Sequence, residues 1–172
     1  QEVKDDLVYQ IGALRAFTRA KRLQHVKPHG AMYNRAVDDD ELARAICEAV
    51  LEVDPGMILV ALAGSRWATV AAEMGLRVAT EIFADRALNA DGTLVSRSLP
   101  GSVLYDVGEV AERSVRMVAE GRARAISGED LEVGATSLCI HGDTPGAVKM
   151  AAAVRKGLEA EGVSIVPMEQ LV

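Results

Sequence analysis

The sequence is poor in aromatic residues, in basic clusters and in long apolar runs. Aromatic residues make up 3% of the 172 positions, the net charge is −6 and no basic stripe is present, so nothing supports binding to nucleic acid. No apolar stretch approaches the roughly 18 residues of a membrane helix, and no secretory signal is visible. We therefore expect neither a nucleic-acid partner nor a membrane partner.

Cysteine is also scarce. The two cysteines, Cys47 and Cys139, match no zinc-binding or redox spacing. Cys47 falls in a helical pattern and Cys139 in an apolar strand, which predicts buried thiols and no catalytic role. Two thiols without a disulfide framework favour a cytoplasmic location.

Predicted strands and helices alternate along the chain. The strands are expected at residues 25–29, 57–63, 77–84, 137–141 and 163–168. The helices are expected from the start to about residue 21, and at about 38–54, 65–75, 106–121 and 145–161, with Asp38, Ser65 and Asp106 as N-caps. Turn residues predict small hairpins within 85–105 and 123–135.

This order predicts an α/β fold with a parallel sheet. A complete (β/α) barrel needs seven or eight strands and about 250 residues, and apolar residues already repeat at helical spacing from Val3 onward. We therefore expect residues 1–172 to form one barrel domain that is incomplete at its N-terminus. An open doubly wound sheet is the competing fold, although it leaves the first helix unexplained.

Three of the predicted strands end in residues that carry chemistry. Two of them run into a histidine–glycine pair, at His29-Gly30 and His141-Gly142, and a third ends in Asp85-Arg86. In α/β barrels the reaction takes place on loops after the carboxyl ends of strands. The pattern therefore predicts an enzyme.

A lysine precedes the histidine of the first junction. Pro28 is expected to end the strand, and Gly30 permits a turn that exposes His29. Lys27 is costly to bury unless it meets an anion, which makes it a candidate for binding a carboxylate or phosphate. Asn34 follows as a ligand contact or a helix cap.

The third strand contributes charged residues of both signs. Glu81 interrupts an apolar strand and needs a partner such as Lys27. Asp85 and Arg86 are candidates for a structural ion pair. Arg97 is placed to close over the site and hold a substrate carboxylate in a bidentate fork.

The second junction resembles an anion-binding loop. Asp143 or Thr144 is expected to cap the next helix, with Pro145 at its first position. A helix N-terminus reached by small residues can bind a carboxylate or phosphate. The loop is not G-x-x-x-x-G-K-[ST], so ATP binding by this chain alone is not supported.

Carboxylates and histidines together indicate general acid/base chemistry. The chain has no H-x-x-x-H or H-E-x-x-H spacing, so a metal site would need ligands from separate strands. A divalent metal is left open on these grounds.

Three long segments, in this order, resemble the LamB/YcsF family. The segment from Val26 to Asn34 is similar to the V-K-P-H-G-A-L-Y-N motif of that family. Residues 81–86 and 91–97 are similar to its E-x-F-A-D-R and D-G-x-L-V-x-R motifs, and residues 139–147 to its C-x-H-G-D-T-P-G-A signature. The resemblance extends over essentially all 172 residues.

The resemblance implies a (β/α) barrel of the glycoside hydrolase/deacetylase type. It implies a part in the ATP-dependent hydrolysis of 5-oxo-L-proline to L-glutamate, with ATP used through two other 5-oxoprolinase subunits. It implies acid/base roles for His29, His141 and Asp143. The implied substrate-binding groups are Lys27, Asn34, Glu81, Asp85, Arg86 and Arg97.

The chain lacks further segments that the family carries before this point, with the motifs D-L-N-x-D-x-G-E, G-F-H-A-G-D and G-A-H-P. We therefore expect the chain to be the C-terminal two thirds of the family's barrel, inactive by itself and with an exposed sheet edge that favours a homo-oligomer. Two alternatives stay open: a metal-dependent carbohydrate deacetylase, and a truncated or non-catalytic scaffold subunit.

Overall fold

The computed structural model describes all 172 residues. The helices are α1 (Glu2–Phe17), α2 (Gly30–Ala36), α3 (Asp40–Val53), α4 (Arg66–Glu73), α5 (Val107–Ala119) and α6 (Ala147–Ala160). The strands are β1 (His25–Val26), β2 (Ile58–Leu62), β3 (Arg77–Phe83), β4 (Arg122–Arg124), β5 (Asp130–Glu132) and β6 (Ser137–Cys139). The chain divides into two compact units, Gln1–Thr80 with Met168–Val172 and Glu81–Pro167.

The main sheet has the strand order β1-β2-β3-β6. β1 pairs with β2 and β3 pairs with β6, in both cases in parallel. Every residue of β2 is buried, as expected for a strand covered on both faces. The structure thus confirms an α/β fold with a parallel sheet, and four of the five predicted strands. The single barrel domain stays a prediction.

The first unit is built from α1 to α4 with β1 and β2. Leu7 and Ile11 form the buried side of α1, which packs on α3. Ser65 caps α4 as expected, since its hydroxyl accepts a hydrogen bond from the amide of Ala68. Asp39 rather than Asp38 caps α3, because its carboxylate accepts from the amide of Leu42.

The second unit places α5 and α6 against each other and around the end of β3. Their buried faces meet in a cluster of small and branched side chains that consists of Ala84, Val110, Met150, Val154 and Leu158. Asp106 caps α5 as predicted. The expected hairpin at 123–135 is present as the antiparallel pair β4–β5, and residues 85–105 form a loop with isolated antiparallel bridges.

Three expectations about secondary structure are wrong. Residues 163–168 form no strand and lead into a short 3-10 helix at Met168–Gln170, because Pro167 offers no N–H and no neighbouring strand pairs with them. The short helix α2 was not predicted. Helix α6 begins after Gly146, whose left-handed backbone ends the loop, so neither Asp143 nor Thr144 caps it.

None of the helices is both long enough and apolar enough to cross a membrane.

Candidate active site

A buried carboxylate joins the ends of two neighbouring strands in the second unit. Asp85 follows β3, has no exposed surface and accepts three kinds of hydrogen bond. The His141 ring nitrogen Nδ1 lies 2.9 Å from Oδ1, and the Thr144 hydroxyl donates to Oδ2 at 2.9 Å. The backbone amide of His141 donates to Oδ2 at 3.2 Å. Asp85 therefore fixes both the backbone and the side chain of His141.

The register of the sheet explains this meeting. Phe83 pairs with Cys139, and the amide of Ala84 donates to the carbonyl of Cys139 at 2.9 Å. Because the two strands are parallel and in this register, Asp85 and His141 each lie two residues beyond a paired position. The two chain segments therefore leave the sheet side by side.

The orientation of the His141 ring is set on two sides. An ionised carboxylate only accepts hydrogen bonds, so Nδ1 carries a hydrogen and donates to Asp85. The ring also stacks on Phe83, with the centroids 5.3 Å apart and the planes 14° apart. The His141 side chain keeps 22% of its surface exposed, and in the neutral ring Nε2 is left with a lone pair that can accept a proton.

Arg86 supports the loop at 85–105. Its guanidinium is buried and donates to the backbone carbonyls of Ser102 and Val95, while Asp85 has separate partners, so the expected Asp85–Arg86 ion pair is absent. Burial, together with the charge of Arg97, lowers the pKa of Arg86. Arg97 itself is exposed in that loop.

The other predicted residues of this unit lie in contrasting environments. Glu81 is 3% exposed within β3 and pairs in register with Ser137. Asp143 is exposed, two residues after His141. Asp85 and His141 are thus the predicted acid/base and binding residues that a side-chain hydrogen bond brings together at the strand ends.

The first unit contains the other histidine–glycine junction. The Lys27 ammonium lies 5.7 Å from the centre of the Tyr33 ring, and Tyr33 packs edge-on against Trp67 with the centroids 5.3 Å apart. His29 is exposed and precedes α2, where its side chain makes no capping hydrogen bond. Asn34 is exposed on α2.

Two contributors to the site, Phe83 and Thr144, were missed by the sequence interpretation. Alternation along a strand places residues 83 and 85 on one side, so Phe83 was within reach of that argument. Thr144 was considered only as a helix cap, and its bond to Asp85 requires the fold of the loop to be known. No group of three or more His, Cys, Asp or Glu side chains is arranged to hold a metal ion.

A parallel α/β fold with a carboxylate–histidine pair beyond two neighbouring strands defines a protein equipped for acid/base chemistry. The LamB/YcsF family model matches residues 1–172. The chain belongs to the LamB/YcsF family.

The similar proteins have consistent names. The chain is 53% identical over 174 residues to the first of the 5-oxoprolinase subunits ("A") of Thermococcus onnurineus (strain NA1), covering 100% of this chain and 68% of that protein. It is 52% identical over 169 residues to the 5-oxoprolinase subunit of the same name in Syntrophobacter fumaroxidans, covering 97% and 67%.

A solved structure agrees with these relatives. It is the crystal structure of a lactam utilization protein from Thermus thermophilus, with a TM-score of 0.86 and 48% identity over 95% of this chain and 66% of that chain. The chain thus spans about two thirds of the length of the relatives it matches.

Proposed function

We propose that this chain is part of the hydrolytic subunit of a 5-oxoprolinase, which opens the cyclic amide of 5-oxo-L-proline to give L-glutamate. The names of the relatives support the class of reaction. The observation that carries the proposal for this chain is the Asp85–His141 pair, because amide hydrolysis needs a group that can take a proton and return it.

In the proposed reaction, Nε2 of His141 takes a proton from water as the oxygen adds to the ring carbonyl. Asp85 holds the ring through Nδ1 and offsets the positive charge that develops on the imidazole. The same imidazolium then donates its proton to the ring nitrogen as the C–N bond breaks. One water molecule is consumed, and a carboxylate and an amine are formed.

The remaining assignments belong to this proposal. His29 and Asp143 are further acid/base candidates, and Lys27, Asn34, Glu81 and Arg97 are candidates for binding or orienting the substrate. The buried contacts of Arg86 favour a role in holding the loop at 85–105. ATP is proposed to act through two partner subunits, since this chain has no G-x-x-x-x-G-K-[ST] loop.

The test is reconstitution. The protein is combined with its two partner subunits, with ATP and with 5-oxoproline, and glutamate release is measured. His141→Asn should reduce the rate by at least about 100-fold, because general acid/base groups contribute that much or more. His25→Asn is the matched control, since His25 is exposed and its ring contacts only the neighbouring Gln24.

Two results would contradict the proposal. A well-folded wild-type complex that releases no glutamate would contradict the reaction and leave the scaffold alternative. A His141→Asn complex with undiminished turnover would contradict the assignment of the site.

A further inference from the structure

An open groove of about 490 Å³ lies in the second unit, and its lining contains none of the residues of the Asp85–His141 pair. Helix α5, strand β4 and parts of the loop at 85–105 contribute to its walls. Its charged lining consists of Arg113, Arg116, Arg122, Arg124, Glu109 and Glu112. We call it the arginine groove. Its excess of positive charge stands out in a chain with a net charge of −6.

Arg113 is the unsatisfied member of this groove. Its Nε and Nη2 are buried and have no hydrogen-bond partner. Burial lowers the pKa of Arg113 to about 10, so the side chain is still charged at neutral pH. Buried polar groups in native proteins nearly always have a partner, and an unpaired charged group is the costliest exception. The groove therefore lacks an acceptor at this point.

The neighbouring acidic residues do not supply that acceptor. Glu109 and Asp85 favour the charged form of Arg113 through space, but neither accepts a hydrogen bond from its buried Nε and Nη2. Arg116 is already engaged, because its guanidinium lies 2.9 Å from Asp130 and 3.4 Å from Glu120. Arg113 thus differs from a neighbour whose charge is compensated within the chain.

We propose that the arginine groove binds a phosphate group, either free or on a small organic molecule, with Arg113 as the main anchor and Arg122 as the second charge. A guanidinium presents paired N–H groups that match two oxygens of an oxyanion. A phosphate has a further oxygen and nearly two negative charges, so two arginines can share it.

The dimensions and lining of the groove suit such a ligand. Its volume lies within the range of about 300–1,000 Å³ that is typical of small-molecule sites. Ala87, Leu104 and Ile126 add apolar surface against which an organic part can pack. This site is independent of the proposed hydrolysis and can be tested without turnover.

The test is calorimetric titration of the wild-type chain with inorganic phosphate at constant ionic strength set by chloride. Arg113→Met should weaken binding at least tenfold. Arg155→Met is the matched control and should leave binding unchanged, because Arg155 is exposed on α6 and pairs with Glu159. Glycerol 3-phosphate should bind at least as tightly as phosphate, and glutamate at least tenfold more weakly.

Several results would overturn the proposal. They are no heat from phosphate at millimolar concentration, equal affinity of Arg113→Met and wild type, and glutamate binding as tightly as phosphate. Loss of phosphate binding in His141→Asn would move the site to the catalytic pair. If Arg113→Met does not fold, Arg122→Gln decides the question, and unchanged phosphate affinity of that variant would contradict the proposal.

Discussion

The two histidine–glycine junctions have nearly the same local sequence pattern and different surroundings. His29 is exposed, precedes α2 and makes no capping bond. His141 is partly buried, donates to Asp85 and stacks on Phe83. A histidine at the end of a strand becomes a defined acid/base group only when other side chains fix its tautomer and orientation. That distinction depends on residues far away in the sequence.

The largest expected effect tests the carboxylate that separates the junctions. In Asp85→Asn, the side-chain amide can donate to Nδ1 and force the ring hydrogen onto Nε2, which then cannot accept a proton. We expect glutamate release by the reconstituted complex to fall by about 10²–10⁴-fold. Asp106→Asn is the control, because asparagine is also a good N-cap. Turnover close to that of wild type in Asp85→Asn would remove the distinction between the two histidines.

The next effect compares the junctions by stability. His141→Ala should lower the free energy of unfolding by about 2–3 kcal/mol, since it removes a hydrogen bond to a buried carboxylate. His29→Ala should change it by less than about 0.5 kcal/mol, as expected for an exposed side chain without a capping bond. Urea denaturation measures both values. Equal losses would show that the contacts of His141 add no stability.

A smaller effect concerns the second donor to Asp85. Thr144→Val keeps the shape of the side chain but removes the hydroxyl that donates to the carboxylate. We expect a loss of about 1–2 kcal/mol in urea denaturation. Thr144→Ser, which retains the hydroxyl, should be closer to wild type. The reverse order would mean that the methyl group, and not the hydrogen bond, is the important contact.

The smallest effect on the folded state concerns the two thiols. Burial raises the pKa of Cys47 from 9.0 to about 11, whereas Cys139 is partly exposed next to the second junction. A thiol reagent at pH 8 should modify Cys139 first and Cys47 only after unfolding. Because the folded pKa of Cys47 is the higher one, its contribution to stability is complete below about pH 9 and is lost as the pH rises through about 11. Equally fast labelling of both thiols in the native protein would contradict this.

Local signals predicted much of the fold. Ser65 and Asp106 cap helices as expected, because a capping side chain acts within three residues of itself. The apolar run at β2 and the hairpin β4–β5 were likewise readable from residues close together in the chain. The expected strand at 163–168 failed because a strand needs a partner, and apolar composition does not supply one.

The candidate site divides along the same line. The order of amino acids was enough to predict the family, the α/β class and the residues that carry chemistry at the strand ends, because these depend on motifs and short-range periodicity. The folded chain was needed to establish that Asp85 serves His141, that Thr144 completes the bond set and that Arg113 is buried without an acceptor. Those outcomes depend on strand register and on packing between distant segments, and such contacts are specified only when the chain is folded.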